Sequence, residues 1–481
     1  MDPVALDKPL KIDRRPLWVI VADRTWRYQA IAAVAIIAAV LLSLDPPAGL
    51  SPAGQRTLVL FGTCVFFWVT GLLPLAVTSL FAMAALPLLG IMTSRQTYAL
   101  FGNEAVFFIL GAFILAAAMT GSGLSSRLAL AMLTRFGRTP LRLALSVFLM
   151  SALFSFAMSE HAVAAMMFAV VIEVARSLRL TKGSGYARLL FLSIGWGCVI
   201  GGIATFLGGA RAPLAVGMLR EGTGLDFGFF EWMIAALPIV LPLLLIGFVV
   251  LLVFCPRDID SVEDGLKMLR HKRLERGRMT GSEKVVALVA LATLAGWIFY
   301  GRTLGLANIA ILAVVALFVF RVVNWQTIEE YVNWGVILMY GGAIALATAL
   351  ANTGTAAWLA DKGLAGIQDQ PFLLLAVFSL LAIVLTECIS NAAVIAALMP
   401  IGLSLAQSTG IDPRVMTLVI ALPAGLAFCL PMGTPANAIV FASGYLRMRD
   451  LLIPGLVIMP IAWGLFLLAA RFVWPWLGLG I

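Results

Sequence analysis

The sequence predicts an all-α polytopic membrane protein, on the strength of its composition, its long apolar runs and an internal repeat. Of its 481 residues, 62% are hydrophobic and only 12% are charged, whereas soluble domains carry roughly 25% charged residues. Runs nearly free of charge occupy 30–44, 72–91, 233–254 and 451–470, and an α-helix needs about 20 such residues to cross a bilayer. Backbone groups in lipid must bond within their own segment, so these runs are helices and not open sheet.

The net charge of +9 is typical of the positive-inside rule, by which basic loops of a membrane protein stay in the cytoplasm. The richest basic cluster lies in the polar segment 256–284, and another lies in 176–188. We therefore predict a multi-pass protein of a bacterial-type inner membrane, surrounded by lipid bilayer, with a cytoplasmic N-terminus and no nucleic-acid partner. The first apolar run ends at 45–47 without a cleavage site, so we expect the first helix to stay in the mature protein.

Signals of catalysis or of a resident metal are absent from the sequence. Its five cysteines lie in or at the ends of apolar segments without paired spacing, which favours small buried hydrophobes over a disulfide framework or a zinc site. There is no nucleophile elbow and no metal-ligand constellation. We expect a protein that is not an enzyme and has no cofactor.

Two separated blocks of the first half recur in the second half at one fixed spacing. A constant spacing across two blocks predicts an internal duplication. The loop 176–188 is basic whereas its counterpart near Asp412 is not, so we expect inverted repeats with a binding site where they meet. The matching pairs lie 231 residues apart (354 − 123 and 390 − 159) and are Gly111 and Gly342, Leu115 and Leu346, Ala116 and Ala347, Ala118 and Ala349, Gly123 and Gly354, Ser159 and Ser390, Ala162 and Ala393, Val163 and Val394, and Ala165 and Ala396.

The duplication divides the chain into four segments. We expect a cytoplasmic N-terminus with the first transmembrane helix at 1–54, a first repeat at 55–255, a cytoplasmic basic linker at 256–284 and a second repeat at 285–481. Long apolar stretches with polar centres predict re-entrant hairpins, and glycine and proline inside apolar runs predict broken helices. The hairpins are expected at 143–172 and 372–405, and the broken helices at 190–218 and 416–445.

Polar residues interrupt the predicted hairpins and broken helices. Unwound helices expose N–H groups that can bind anions and carbonyls that can coordinate cations. Gly201 and Gly202 fit close helix packing equally well. Glu387 either faces the cavity or pairs with a group that the sequence does not identify. The interrupting residues are Ser155, Ser159, Glu160 and His161 in the first hairpin, Thr386, Glu387, Ser390 and Asn391 in the second, and Gly208, Arg211, Gly433, Thr434, Pro435 and Asn437 in the broken helices.

With these motifs, and with the segments 68–75, 111–115 and 437–445, the chain resembles the divalent anion:sodium symporter family from about Leu58 onward. Members of that family carry dicarboxylates, citrate or sulfate. The resemblance implies a homodimer whose protomers have a scaffold domain and an elevator-type transport domain. It also implies about 11 transmembrane helices plus two re-entrant hairpins, in two inverted repeats.

The resemblance further implies two half-sites, each formed by one hairpin tip and one broken helix, with Thr205 belonging to the first. Sodium is the coupling ion that it implies, and a small anion is the substrate. The predicted substrate-binding residues are the positions that match the family, Ser159, Ser390, Asn391, Thr434, Pro435 and Asn437, together with the ionisable residues of the first half-site, Glu160, His161 and Arg211. The predicted cation-coupling residues are Ser155, Ser159, Glu160, Gly208, Thr386, Ser390, Asn391 and Gly433.

The first half-site departs from the family pattern. The first Ser-Asn-Thr motif is replaced by Ser159, Glu160 and His161, and Arg211 stands in the following G-T-P-P-N-like segment. A charge at a helix centre costs about 2.5–3.5 kcal/mol on insertion scales, so such residues usually mark a substrate or ion path. Three interpretations stay open. Glu160 and Arg211 form a pair that only closes the site, or Arg211 binds an anion as a two-pronged donor, or its fixed charge replaces a sodium ion while Glu160 or His161 exchanges protons.

We therefore predict an alternating-access secondary transporter of small divalent anions, foremost C4-dicarboxylates, whose ion coupling departs from the two-sodium pattern. The alternatives within transport are a sodium-independent anion exchanger, a proton-coupled anion importer and a sulfate transporter. A membrane-embedded hydrolase that uses Glu160 and His161, and a passive anion channel, are less favoured because midplane repeats favour coupled transport.

Overall fold

The computed structural model describes residues 17–364, 366 and 370–480, so the first sixteen residues of the predicted N-terminal segment lie outside the described residues. Within this described portion the regular secondary structure is helical, with no β-strand. Short 3-10 turns occupy Leu100–Gly102, Pro423–Gly425 and Trp474–Leu477, and a π turn occupies Ala469–Val473. The α-helices are α1 (Leu17–Ser43), α2 (Pro52–Thr70), α3 (Leu75–Leu88), α4 (Ser94–Ala99), α5 (Glu104–Gly121), α6 (Leu124–Phe136), α7 (Pro140–Ser155), α8 (Glu160–Ser177), α9 (Gly185–Gly202), α10 (Arg211–Thr223), α11 (Phe229–Phe254), α12 (Glu263–Glu275), α13 (Gly281–Leu304), α14 (Leu306–Val319), α15 (Trp325–Tyr331), α16 (Trp334–Asn352), α17 (Thr355–Leu364), α18 (Pro371–Cys388), α19 (Asn391–Thr409), α20 (Pro413–Ala421), α21 (Pro435–Phe441) and α22 (Met448–Leu468).

Nine helical stretches of the described chain are long and apolar enough to cross a membrane. The most apolar is α11, whose Leu245 and Val253 are 70% and 71% exposed on the protein surface. Large apolar side chains exposed along such a helix indicate a lipid-facing surface. In contrast, 94% of α9 is buried, so α9 lies at the centre of the helix packing. The protein is an all-α polytopic membrane protein.

The helix boundaries repeat with the spacing of the predicted duplication. The starts of α6, α7 and α8 at 124, 140 and 160 are matched by those of α17, α18 and α19 at 355, 371 and 391, each 231 residues later. Gly123 and Gly354, which precede α6 and α17, both have positive φ angles of 83° and 71°. This recurrence supports the predicted duplication, while the inverted orientation of the repeats stays a prediction.

Several glycines allow helix backbones to approach closely. A Cβ atom at Gly201 on α9 would lie 2.3 Å from the carbonyl oxygen of Ala152 on α7. A Cβ at Gly342 on α16 would lie 2.4 Å from the carbonyl oxygen of Ser79 on α3. Small residues permit this kind of packing between membrane helices. For Gly201, close helix packing is therefore the structural role, whereas Gly202 faces the functional site described below.

The linker 256–284 contains α12 and is fastened to the start of α9. Asp258 accepts hydrogen bonds from the backbone N–H groups of Gly185 and Tyr186, both at 2.8 Å, and from the Ser184 hydroxyl at 3.0 Å. Partial burial acts to raise the pKa of Asp258, but the three hydrogen bonds outweigh it and the pKa is lowered. The carboxylate therefore caps the positive end of the α9 dipole.

Candidate functional site

The predicted hairpin tips are the turns between α7 and α8 and between α18 and α19. At the first tip, the hydroxyl oxygen of Ser159 accepts the backbone N–H of Ala162 at 3.4 Å. At the second, the hydroxyl oxygen of Ser390 accepts that of Ala393 at 3.2 Å. Each serine is thus the N-cap of the helix that follows, and it satisfies one of the N–H groups that a helix start leaves free.

The two tips meet in the folded chain. Glu160 is the first residue of α8 and Asn391 the first of α19, and they are equivalent in the repeat (391 − 160 = 231). The side-chain amide of Asn391 lies 3.4 Å from Oε1 of Glu160, which is only 5% exposed. The positive ends of two helix dipoles therefore converge on one buried place.

Arg211 reaches the same place from α10. It follows directly on the helix break at 203–210, and its Nη1 lies 3.4 Å from Oε2 of Glu160. The phenol of Tyr340 on α16 donates a hydrogen bond to the carbonyl of Ala210 and so holds the start of α10. Arg211 is 2% exposed. In this conformation its guanidinium is enclosed by protein and is not offered to a dissolved anion.

The Asn391 amide lies between two different sets of groups. One end is 2.7 Å from the Thr386 hydroxyl oxygen and 3.2 Å from the carbonyl oxygens of Ala424 and Gly433. Its other end lies 3.2 Å from Nη1 of Arg211. With nitrogen toward the carbonyls, the amide donates to them and accepts from Arg211. With oxygen toward them, four oxygen atoms converge, as they do around a hard cation.

Glu387 holds the unwound segment 426–434 of the second half. Its Oε1 accepts the backbone N–H groups of Phe428 at 2.7 Å and Cys429 at 2.9 Å, and its Oε2 accepts that of Leu430 at 2.9 Å. The side chain is 5% exposed. Because a helix break leaves backbone N–H groups without partners, this carboxylate supplies the acceptors that make the break possible. These three N–H groups are consequently not free to bind an anion.

The motif 433–437 forms the N-terminal end of α21, and its two polar side chains are buried. The Thr434 hydroxyl oxygen accepts the backbone N–H of Asn437 at 3.2 Å, and the Asn437 amide nitrogen donates to the carbonyl of Ala427 at 2.9 Å. Thr434 is 1% exposed and Asn437 is fully buried, whereas Pro435 is exposed. A Cβ at Gly433 would lie 2.5 Å from that of Ala427, so glycine is needed for this close approach.

The first half-site is closed by hydrogen bonds between the hairpin tip and the helix break. The Thr205 hydroxyl donates to the carbonyl of Phe156 at 2.7 Å, and the backbone N–H of Glu160 donates to the carbonyl of Gly208 at 2.9 Å. Ser155 is fully buried. His161 is exposed, so it lies beside the buried cluster and not within it.

The structure therefore brings five predicted site residues together in one cluster, which we call the tip cluster; its members are the buried Glu160, Arg211, Thr386 and Gly433 and the half-buried Asn391. Sequence reasoning missed the carbonyl of Ala424 and the partners of Glu387. A carbonyl carries no sequence signal, and the groups bound by Glu387 lie more than forty residues later in the chain. A carboxylate in the middle of an apolar hairpin was the only available signal for that contact.

Residues 23–480 match the family model described as "Sodium:sulfate symporter transmembrane region". The chain belongs to this family. The match confirms the resemblance to divalent anion:sodium symporters drawn from the hairpin-tip and broken-helix motifs. Since the family and the relatives described next are transporters, the chain is a multi-pass membrane transporter and not an enzyme. The roles of individual residues stay predictions.

Curated relatives cover most of the chain. A protein of Staphylococcus saprophyticus named sodium-dependent dicarboxylate transporter SdcS is 28% identical over 440 residues, which cover 85% of this chain and 84% of that protein. Its namesake from Staphylococcus aureus strain USA300 is 30% identical over 438 residues, again covering 85% and 84%. The solved YdaH transporter of Alcanivorax borkumensis has a TM-score of 0.49 and 17% identity, over 81% of this chain and 90% of that one.

Proposed function

We propose that the protein is a sodium-coupled secondary transporter of small divalent anions, foremost C4-dicarboxylates. The observation that carries the proposal is the set of three neutral oxygens that converge on one end of the Asn391 amide. The Thr386 hydroxyl oxygen and the carbonyl oxygens of Ala424 and Gly433 lie 2.7–3.2 Å from the amide atom of Asn391 that faces them. Unwound carbonyls and side-chain oxygens of this kind coordinate sodium in transporters with broken helices.

The substrate is proposed to bind beside this cation, where the tips of the two hairpins meet. The N-terminal ends of α8 and α19 favour negative charge there, and the relatives named above are dicarboxylate transporters. Ser159, Ser390, Thr434 and Asn437 remain the candidate neutral contacts. The half-buried serines at the tips are more accessible than Thr434 and Asn437, which are buried at the start of α21. We therefore expect the serines to contact the anion first.

We propose that the protein is a homodimer in the inner membrane, with a cytoplasmic N-terminus. Each protomer has a scaffold domain and a transport domain, and the transport domain moves as an elevator. The recurring helix starts at 231-residue spacing support two related halves. A binding site at the meeting point of such halves suits alternating access. Proton coupling is the second candidate, and the buried carboxylate of Glu160, 5% exposed, is the observation that favours it.

The test is uptake of radiolabelled succinate into proteoliposomes that contain the purified full chain. Inward sodium and proton gradients are imposed separately, and a third arm has unlabelled internal succinate without any gradient. Sulfate serves as a competing anion. Uphill uptake that requires the sodium gradient supports the proposal. Uptake driven only by the proton gradient or by internal succinate would replace sodium coupling with one of the alternatives, and absence of uptake in all arms would refute dicarboxylate transport.

A further inference from the structure

The guanidinium of Arg211 occupies a cavity built from glycines. A Cβ at Gly425 would lie 2.1 Å from its Nε, a Cβ at Gly209 would lie 2.4 Å from its Nη1, and a Cβ at Gly202 would lie 3.1 Å from its Nη2. The first two distances are shorter than any ordinary van der Waals contact, and the third is tight. These glycines come from the end of α9, the first helix break and the 3-10 turn of the second half. Segments of both repeats thus leave room for this one side chain.

The positive charge in this cavity is fixed in place. Arg211 cannot be deprotonated in proteins, it is 2% exposed, and Tyr340 anchors the preceding carbonyl. Its charge faces Glu160 at 3.4 Å. Nη2 has no hydrogen-bond partner within the described residues. A buried ion pair is costly even with its partners in place, which is unexpected if the pair only closes a site, because apolar residues would close it at lower cost.

Comparison of the two repeats indicates what the charge does. At the second tip, Asn391 faces the neutral oxygens of Thr386, Ala424 and Gly433, which suit a cation from solution. At the first tip, the equivalent Glu160 faces the guanidinium of Arg211 instead. A sodium ion at the first tip would lie within a few ångströms of this permanent charge, and like charges at such distances repel strongly inside a protein.

We propose that Arg211 is a built-in cation of the first half-site, so that the transporter binds sodium only at the second half-site and carries one sodium ion per substrate. The inference rests on the proposed sodium-coupled function and specifies its stoichiometry. Arg211 also contacts Asn391 from the side opposite the proposed sodium site, at 3.2 Å. In the orientation that satisfies both ends of the amide, Arg211 donates to its oxygen while its nitrogen donates to the oxygens of Thr386, Ala424 and Gly433. Arg211 therefore acts on that site through the Asn391 amide, as a positioning residue.

The deciding measurement uses the unaltered protein. In loaded proteoliposomes, the membrane potential at which succinate flux reverses gives the number of sodium ions carried per succinate. The dependence of the initial uptake rate on sodium concentration gives a Hill coefficient. We expect a ratio and a coefficient of about one, since a Hill coefficient is bounded by the number of coupled sites. A ratio of two would overturn the inference and leave sodium-coupled transport standing. Loss of sodium dependence altogether would overturn the proposed function.

A double variant tests whether Arg211 is the reason that sodium does not bind at the first half-site. Glu160→Asn with Arg211→Ala removes the charge pair and gives both tips the sequence Ser-Asn. We expect its Hill coefficient for sodium to rise from about one toward two, because the space left by the guanidinium becomes accessible to an ion. Arg211→Lys is the matched control, which keeps a positive charge and should keep a coefficient of about one. A folded double variant whose coefficient stays at one contradicts the role of Arg211, and if that variant does not fold, the ratio of the unaltered protein still decides.

Discussion

Replacing Glu387 by glutamine removes one acceptor oxygen from the unwound segment 426–434. If the new amide nitrogen takes the place of Oε2, the N–H of Leu430 loses its 2.9 Å partner and faces another donor. The opposite orientation deprives Phe428, while Cys429 keeps its 3.1 Å bond to Oε2, so either orientation leaves one N–H unpaired. Leaving one buried N–H unpaired costs about 1–3 kcal/mol, and hydrogen bonds to a neutral oxygen are weaker than those to a carboxylate. We expect a total loss of about 2–4 kcal/mol of stability.

The assay is equilibrium unfolding of the purified protein in mixed detergent and SDS micelles, together with the rate of succinate uptake. Glu387→Gln should unfold at a lower SDS fraction and transport more slowly, because the segment that carries Gly433 loses its anchor. Glu275→Gln is the control, since that side chain is 60% exposed on α12. An unfolding curve of Glu387→Gln that coincides with the wild-type curve would refute the reasoning that the carboxylate holds the break open.

Three further variants test other contacts. Thr386→Val removes one proposed sodium ligand and should raise the half-saturating sodium concentration roughly tenfold, or about 1.4 kcal/mol; Thr417→Val, whose hydroxyl bonds the carbonyl of Pro413 in its own helix, should leave it unchanged. Gly425→Ala places a Cβ 2.1 Å from Nε of Arg211 and should cost about 1–3 kcal/mol or prevent folding, whereas Gly464→Ala, with open space around it, should not. Asp258→Asn should reduce the fall in melting temperature that the wild-type protein shows as the pH is lowered into the acid range.

The sign of the Asp258 effect follows from its lowered pKa. A carboxyl whose pKa is depressed by folding contributes stability at pH values above its unfolded pKa, near 3.8, and loses that contribution as pH falls through the folded pKa. The melting temperatures of wild type and variant should therefore differ most near neutral pH and converge in acid. Equal differences at all pH values would contradict a role for the ionised carboxylate as the cap of α9.

The membrane character and the helix breaks were predictable because both are local properties. A run of apolar residues specifies a spanning helix wherever it lies, and polar residues in the middle of such runs mark the hairpin tips at Ser159 and Ser390. The duplication was also readable, since a fixed spacing of 231 residues is preserved in the order of residues and reappears in the helix starts. Family membership followed from these motifs and was confirmed by the match over residues 23–480.

Contacts across the two halves were not predictable in the same way. The sequence left three roles open for Arg211, and its enclosure by Gly209 and Gly425 appears only in the folded chain. Glu387 had no identifiable partner in the sequence because it binds backbone N–H groups, which every residue except proline carries. His161 was grouped with Glu160 by adjacency, but the helix start turns Glu160 inward and leaves His161 exposed.

Residue patterns alone establish an all-helical membrane protein with polar breaks at fixed places and predict a duplication, because hydropathy is a local property and a repeat preserves the order of residues. Which polar groups share the interior follows from the folded chain. It placed Arg211 between Glu160 and Asn391, residues that are far apart in sequence. In a low-dielectric interior such charges must be compensated locally, so their partners are fixed by packing geometry and not by position in the chain.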